Sequence, residues 1–141
     1  MKIKTIELYG VHLPYAQGIY TLSGGRQYEG FEASIIKIKT DCGLDGFGES
    51  TPFGSTYIAA HSKGVRAGIA DIAPHLIVHL GQTIPSHLLK CILDVRDMVT
   101  VETADFEASI VDGGIKAPDL PGLGLKVKPE ILGKPLANWT A

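Results

Sequence analysis

Ser34-Ile35-Ile36-Lys37-Ile38-Lys39-Thr40-Asp41-Cys42-Gly43-Leu44-Asp45-Gly46-Phe47-Gly48-Glu49-Ser50 is the stretch on which the reading of the fold turns. Ser34, Ile36 and Ile38 alternate with Ile35, Lys37 and Lys39. Successive side chains of a strand point to opposite faces, so both lysines fall on one side. Asp41-Cys42-Gly43 is turn chemistry, and Leu44 to Ser50 returns as a second strand, which makes the stretch an antiparallel hairpin.

Upstream, residues 2–13 mix Ile3, Ile6, Leu8, Val11 and Leu13 with polar partners. The two-residue alternation slips between Ile3 and Ile6 and again between Leu8 and Val11, which predicts a strand with a bulge or bend. A loop rich in Gly, Tyr and Ser follows from Pro14 to about Gly30. The sum is a three-stranded antiparallel meander.

Downstream, Ile58, Val65, Ile69, Ile72 and Leu76 recur at spacings that put them on one face of a helix from about Tyr57 to Ala73, with Pro74 expected to end it. A second helix is expected from about Ile84 to Val99, with Leu88, Ile92, Val95 and Val99 on one face and Pro85 in the first turn. Asp112-Gly113 between Phe106 to Val111 and Gly114 to Lys116 is a type I′ hairpin signal. Glu130 to Leu132 form a short helical turn before Gly133. Strands, helix, helix and hairpin in that order make an α+β fold.

With 141 residues and 45% hydrophobic content, the chain can build one ordinary core. A formal net charge of −2 lacks the basic footprint of a nucleic-acid binder, so none is expected as a partner. No apolar run approaches the roughly 18 residues that span a bilayer, so no membrane partner is expected either. The start, Met1 to Glu7, alternates charged and apolar residues instead of opening a signal segment, and the expected location is cytoplasmic. The two cysteines, Cys42 in a turn and Cys91 in a helical pattern, do not form a disulfide framework or metal cluster.

Thr40, Gly43, Gly46, Gly48 and Glu49 reproduce in register a T-x-x-G-x-x-G-x-G-E pattern, and Asp119-Leu120-Pro121-Gly122-Leu123-Gly124 fits a D-x-P-G-L-G-type segment near the other end. Both patterns, in this order, resemble the mandelate racemase/muconate lactonizing enzyme family of the enolase superfamily. Further similarity runs from Met1 to about Ile77 and from about His79 to Trp139. The resemblance implies a strand-rich capping domain at the front and a return segment from a catalytic barrel at the back. Such a barrel needs roughly 200 to 250 residues, so it is expected to be mostly missing, with an apparent junction near Ile77 to His79. The implied organisation is a capping domain over 1–77, a remnant of the last barrel helices over 79–105, and a C-terminal segment over 106–141 that packs back on the cap.

The family's enzymes abstract a proton next to a carboxylate and hold the enediolate on a divalent metal, usually Mg²⁺, because an isolated dianion is too costly without a cation nearby. The ligand carboxylates and the Lys-x-Lys bases of the family lie on barrel strands. None is recognisable here, so no catalytic or metal-binding residue is assigned and no metal is expected bound by this chain. Lys2-Ile3-Lys4, Lys37-Ile38-Lys39 and Lys126-Val127-Lys128 lie in cap segments and read as solvated strand faces. Asp41, Asp45 and Glu49 read as turn and strand-end carboxylates. His75 and His79 have a metal-compatible spacing, but Pro74 interrupts a continuous helix and no third ligand is visible.

What the resemblance implies for the cap is substrate specificity, through two loops that fold over the barrel mouth. Here they are Ala16 to Gly30, with Tyr20, Ser23 and Tyr28, and Pro52 to Tyr57, with Phe53, Ser55, Thr56 and Tyr57. Small residues permit motion, and aromatic or hydroxyl groups make contact. Alternatively, Phe53 and Tyr57 staple the following helix to the sheet. The second loop is similar to the branch acting on proline derivatives, the hydroxyproline dehydratases and proline-betaine racemases, whose ammonium an aromatic ring would suit. The expected role is the capping portion of a metal-dependent racemase, epimerase, dehydratase or cycloisomerase acting on a small carboxylate, inactive alone and self-associating as a homo-oligomer. The alternatives are a stand-alone binding or oligomerisation module and one half of a split enzyme with its barrel in trans.

Overall fold

β-Branched and aromatic residues, Ile3, Thr5, Ile6, Tyr9 and Val11, recur along the first strand, β1 (Ile3–Pro14), and this strand organises the rest. The computed structural model describes residues 1–52, 54, 61–77, 98–105, 110–111, 114–115 and 124–141, without the side chains of 110–111 and 114–115. After β1 come β2 (Tyr20–Thr21), β3 (Gln27–Tyr28), β4 (Gly30–Thr40), β5 (Asp45–Ser50) and the helix α1 (Ser62–Leu76). Short strands β6 (Ala104–Asp105), β7 (Ile110–Val111), β8 (Gly114–Ile115) and β9 (Lys126–Val127) follow, then α2 (Pro129–Leu132) and β10 (Ala137–Thr140). The fold is α+β with antiparallel pairing.

The meander is present and is extended by one strand, giving the order β10-β1-β4-β5. β10 pairs antiparallel with β1 from Thr5↔Thr140 to Leu8↔Ala137, so the two ends of the chain lie side by side. β1 and β4 shift register between Ile3 and Thr5, the bulge expected there. The second expected irregularity, between Leu8 and Val11, does not exist, because the register runs unbroken from Thr5↔Lys39 to Pro14↔Gly30. The apolar pattern changes phase there because this strand is covered on both faces.

On one face Tyr9, Val11, Leu13 and Tyr15 join Phe31, Ala33 and Ile35 beneath Leu132, with Val99, Val101, Val127 and Ile131 packed against them. This cover comes from the far end of the sequence. Backbone bonds tie it down: Ala16 N donates to Met98 O at 2.9 Å, Thr100 N to Pro14 O at 2.9 Å, and Leu136 N to Leu8 O at 2.6 Å. On the other face Ile3 and Ile6 meet Ala73 of α1, flanked by Ile36, Ile38, Ile69, Ile77 and Trp139. Burying a side chain such as Ile6 contributes about 1.5–3 kcal/mol.

The helix differs from expectation in three respects. It starts at Ser62 after an extended His61, not at Tyr57. It continues through Pro74 to Leu76, because Pro74 and Ala70, whose carbonyl loses its partner, are both exposed to water. Finally, Ile72 and Leu76 are 53% and 39% exposed while Ala73 is 1% exposed. The sheet already supplies four isoleucines, so the helix presents its smallest apolar residue at the closest approach, with Ile69 and Ile77 one turn to either side.

The 110–115 pairing is observed, Ile110↔Ile115 and Val111↔Gly114, while the Asp112-Gly113 turn between them lies outside the described residues. The expected helix from Ile84 lies outside them too, except at its end, where Met98 is in a 3-10 turn and Val99 forms an antiparallel bridge with Tyr15. The short helix before Gly133 is α2.

Candidate functional site

At the end of the sheet where β1 gives way to β4, the loop from Ala16 to Gly30 folds into a small hairpin of its own. β2 and β3 pair through Tyr20↔Tyr28 and Thr21↔Gln27 around a turn that carries the exposed Ser23. The pairing brings Tyr20 and Tyr28 together. Tyr15 meets Tyr20 edge-on at 6.0 Å and Phe31 at 4.9 Å, so an aromatic cluster roots the hairpin in the core. The Tyr15 hydroxyl is buried without a hydrogen-bond partner among the described residues. Burial first, and the neighbouring Tyr20 and Tyr28 second, push its pKa up, so it stays a neutral phenol.

The second loop enters through Pro52 and Gly54. Phe53, Ser55, Thr56 and Tyr57 lie outside the described residues. The two loops and the start of α1 enclose a cleft of about 220 Å³ lined by Tyr28, Glu32, Pro52, Gly54, His61 and Lys63 among others. Glu32 is held from behind: His12 Nδ1 lies 2.6 Å from Oε1, and Arg66 Nη2 3.9 Å from Oε2. Arg66 in turn donates from Nε to the buried Ser34 Oγ at 3.1 Å and from Nη2 to Ala33 O at 3.2 Å. A carboxylate, an ammonium and an aromatic ring therefore border one small volume. A larger and more open groove of about 530 Å³ lies along Val99, Val101, Lys128 and Ile131. Its lysine is already engaged by Glu102 at 3.0 Å and Asp105 at 3.1 Å, which leaves the loop cleft as the candidate.

Glu32, His61 and Lys63 were not singled out from sequence. The signal for Glu32 was its place opposite His12 once the hairpin register is drawn. His61 and Lys63 depend on where α1 begins.

The Lys-x-Lys strand bears on catalysis in a different way. Lys39 Nζ lies 2.7 Å from Glu7 Oε1, Tyr9 donates to Glu7 Oε2 at 2.7 Å, and Lys37 Nζ lies 2.8 Å from Asp45 while resting 5.5 Å above the Phe47 ring. Burial alone would raise the Glu7 carboxyl, but the bonds from Lys39 and Tyr9 outweigh it and hold the pKa below its ordinary value. Lys39 is raised by its bond to Glu7, and Tyr9 is pushed up to about 12 by burial and the same carboxylate. A base poised near neutrality needs a lysine shifted the other way. These lysines hold the sheet together.

The carboxylates considered as metal ligands are also occupied. Asp41 accepts from the Lys2 amide at 2.8 Å, Asp45 is paired with Lys37, and Glu49 accepts from Thr51 at 2.8 Å. Among the described residues no three His, Cys, Asp or Glu side chains come together to hold a metal ion, so a Mg²⁺ site does not fit them. His79 lies outside the described residues. No helix among them is long and apolar enough to cross a membrane.

No protein-family model matches the chain. It is 43% identical over 77 residues to a cis-3-hydroxy-L-proline dehydratase from Roseibium aggregatum, covering 55% of this chain and 21% of that protein. The chain thus spans about a fifth of the length of this curated relative. A magnesium complex from Roseovarius nubinhibens ISM, assigned to the mandelate racemase/muconate lactonizing enzymes, superposes with a TM-score of 0.82 over 99% of this chain and 100% of that one. At 18% identity this is a likeness of fold. A mandelate racemase/muconate lactonizing enzyme from the same organism is 42% identical over 55% of this chain and 21% of its own, with a TM-score of 0.53. The resemblance to that family, with a hydroxyproline dehydratase as a relative over part of the chain, is shown.

Proposed function

We propose that this chain is the substrate-specificity portion of a metal-dependent enzyme that abstracts a proton next to a carboxylate, acting on a proline derivative. The observation that carries the reading is the convergence of the two loops on one small cleft with Glu32, Lys63 and the Tyr28 ring at its border. An imino acid carries a carboxylate and an ammonium on a compact apolar ring. A wall with both charge signs and an aromatic face is complementary to it. The relative that dehydrates cis-3-hydroxy-L-proline supports this substrate class. Tyr20, Ser23, Tyr28, Phe53, Ser55, Thr56 and Tyr57 are the proposed loop contacts.

The metal and the base belong, in this reading, to a barrel outside the 141 residues, since Lys37 and Lys39 are engaged by Asp45 and Glu7 in the sheet. The segments 1–77, 79–105 and 106–141 are then cap, barrel remnant and return segment, working in the cytoplasm. A preparation of verified intact mass is expected to show no Mg²⁺-dependent dehydration or racemisation of cis-3-hydroxy-L-proline. Turnover at that mass would contradict a cap without machinery. A much heavier mass would show that the barrel is part of the same polypeptide.

A second reading, a stand-alone oligomerisation module, draws on the exposure of Ile72 and Leu76 along α1. Both readings expect self-association, and a clean monomer by sedimentation at tens of micromolar would count against both. They part on ligand binding, because only the first expects an imino acid to perturb Tyr28.

A further inference from the structure

We propose that Gly54 is a positioning residue for the loop cleft: the bare backbone at this point seats the Tyr28 ring, and that contact locks the second loop onto the β2–β3 hairpin. A Cβ at position 54 would sit 2.5 Å from Tyr28 Cε1, with Cδ1 and Cζ both at 3.4 Å. No side chain fits there unless the ring moves. The ring cannot swing aside at no cost, because Tyr28 also packs against the cluster of Leu13, Tyr15 and Phe31. Tyr28 is thus held between the core and Gly54, and its exposed edge borders the cleft.

The glycine is required by closeness, not by a left-handed backbone, since its φ is not among the positive values that mark Gly24 and Gly25. A side chain at 54 would displace the ring and separate the two loops at the point where both meet the cavity. For the meaning of the cleft the inference rests on the proposed function, but its test needs no turnover, so an inactive chain leaves the result intact.

The experiment compares Gly54→Ala, Tyr28→Val and the double variant of the full chain, using ¹³C-labelled tyrosine rings and amide exchange. Far-UV circular dichroism and Trp139 fluorescence check folding. Gly54→Ala is expected to move the Tyr28 ring resonance, leave that of the remote Tyr9 in place, and speed exchange of the amides at 27–30 on the order of tenfold. Tyr28→Val removes the obstruction, so adding Gly54→Ala to it should change exchange by less than about twofold, the non-additivity expected of two residues in contact. An unmoved Tyr28, a change that spreads equally to Tyr9, or an alanine effect undiminished in the Tyr28→Val background would each overturn the assignment.

Discussion

The two faces of the central sheet are built from different parts of the chain. Beneath α1, Ile3, Ile6, Ile36, Ile38, Ile69 and Ala73 all lie within the first 77 residues, and among the described residues the far end contributes Trp139, with Leu136 beside Gly10. On the opposite face, β1 and β4 are closed by Val99, Val101, Val127, Ile131 and Leu132. One face is therefore local and the other joins the ends of the sequence. Damage to the helix face should loosen a helix, whereas damage to the other face should release the C-terminal segment. The distal face is also divided, apolar from Tyr9 to Tyr15 and ionic around Glu7, Lys37 and Lys39, so its cover is held at one end by packing and the sheet beneath the other by charge.

The sharpest way to break the contrast is Phe31→Ala. Phe31 is 4% exposed in the core of the distal face, and its loss should cost about 3–5 kcal/mol, read as a fall in the urea midpoint. Gly10→Ala probes the helix face instead. Its Cβ would meet Arg66 Nη2 at 2.8 Å and Leu136 Cδ1 at 2.9 Å, and the crowding should cost about 1–3 kcal/mol, measured in the same way. Ser34→Ala removes the acceptor of the same arginine and should cost about 1–3 kcal/mol, with Arg66 still anchored at Ala33 O.

The ionic end should respond to pH. The Glu7 carboxyl lies below its ordinary 4.5 in the folded state, so its contribution is full above that value and lost as pH falls through the lower folded one. Lys39→Met leaves burial unopposed by that bond, so the variant's deficit in urea midpoint against the parent should be larger at pH 7 than at pH 3. Tyr9 works in the other direction. Its pKa is raised from 10.0 to about 12, so its contribution is present below pH 10 and lost as pH climbs toward the folded value. Tyr9→Phe should flatten that alkaline decline.

Much of the local face was legible, because hairpin chemistry and two-residue alternation act over short distances: β4, the turn at Asp41 to Gly43 and β5 lie where the residues place them. Long-range pairing was less legible. β10 is only Ala137-Asn138-Trp139-Thr140, too short to announce a strand, and it exists because the free edge of β1 accepts it. The phase change between Leu8 and Val11 looks like a bulge unless both faces of the strand are known to be covered. Ala73 rather than Ile72 faces the sheet because contact distance, not hydrophobicity, selects the residue there. At the candidate site the aromatic loop residues Tyr20 and Tyr28 stood out by type. Glu32 and Lys63 did not, since each becomes part of the cleft only when the hairpin and the helix start are set against each other.

The central claim is that both ends of the chain form one cooperative unit around β1. Trp139 is the single tryptophan, and it lies on β10 opposite Ile6. Urea unfolding followed at once by Trp139 fluorescence and by far-UV circular dichroism tests the claim directly. The account predicts coincident transitions with one midpoint. A tryptophan signal lost at lower urea while the dichroism of sheet and helix persists would show that the C-terminal segment is a separate unit and would contradict it.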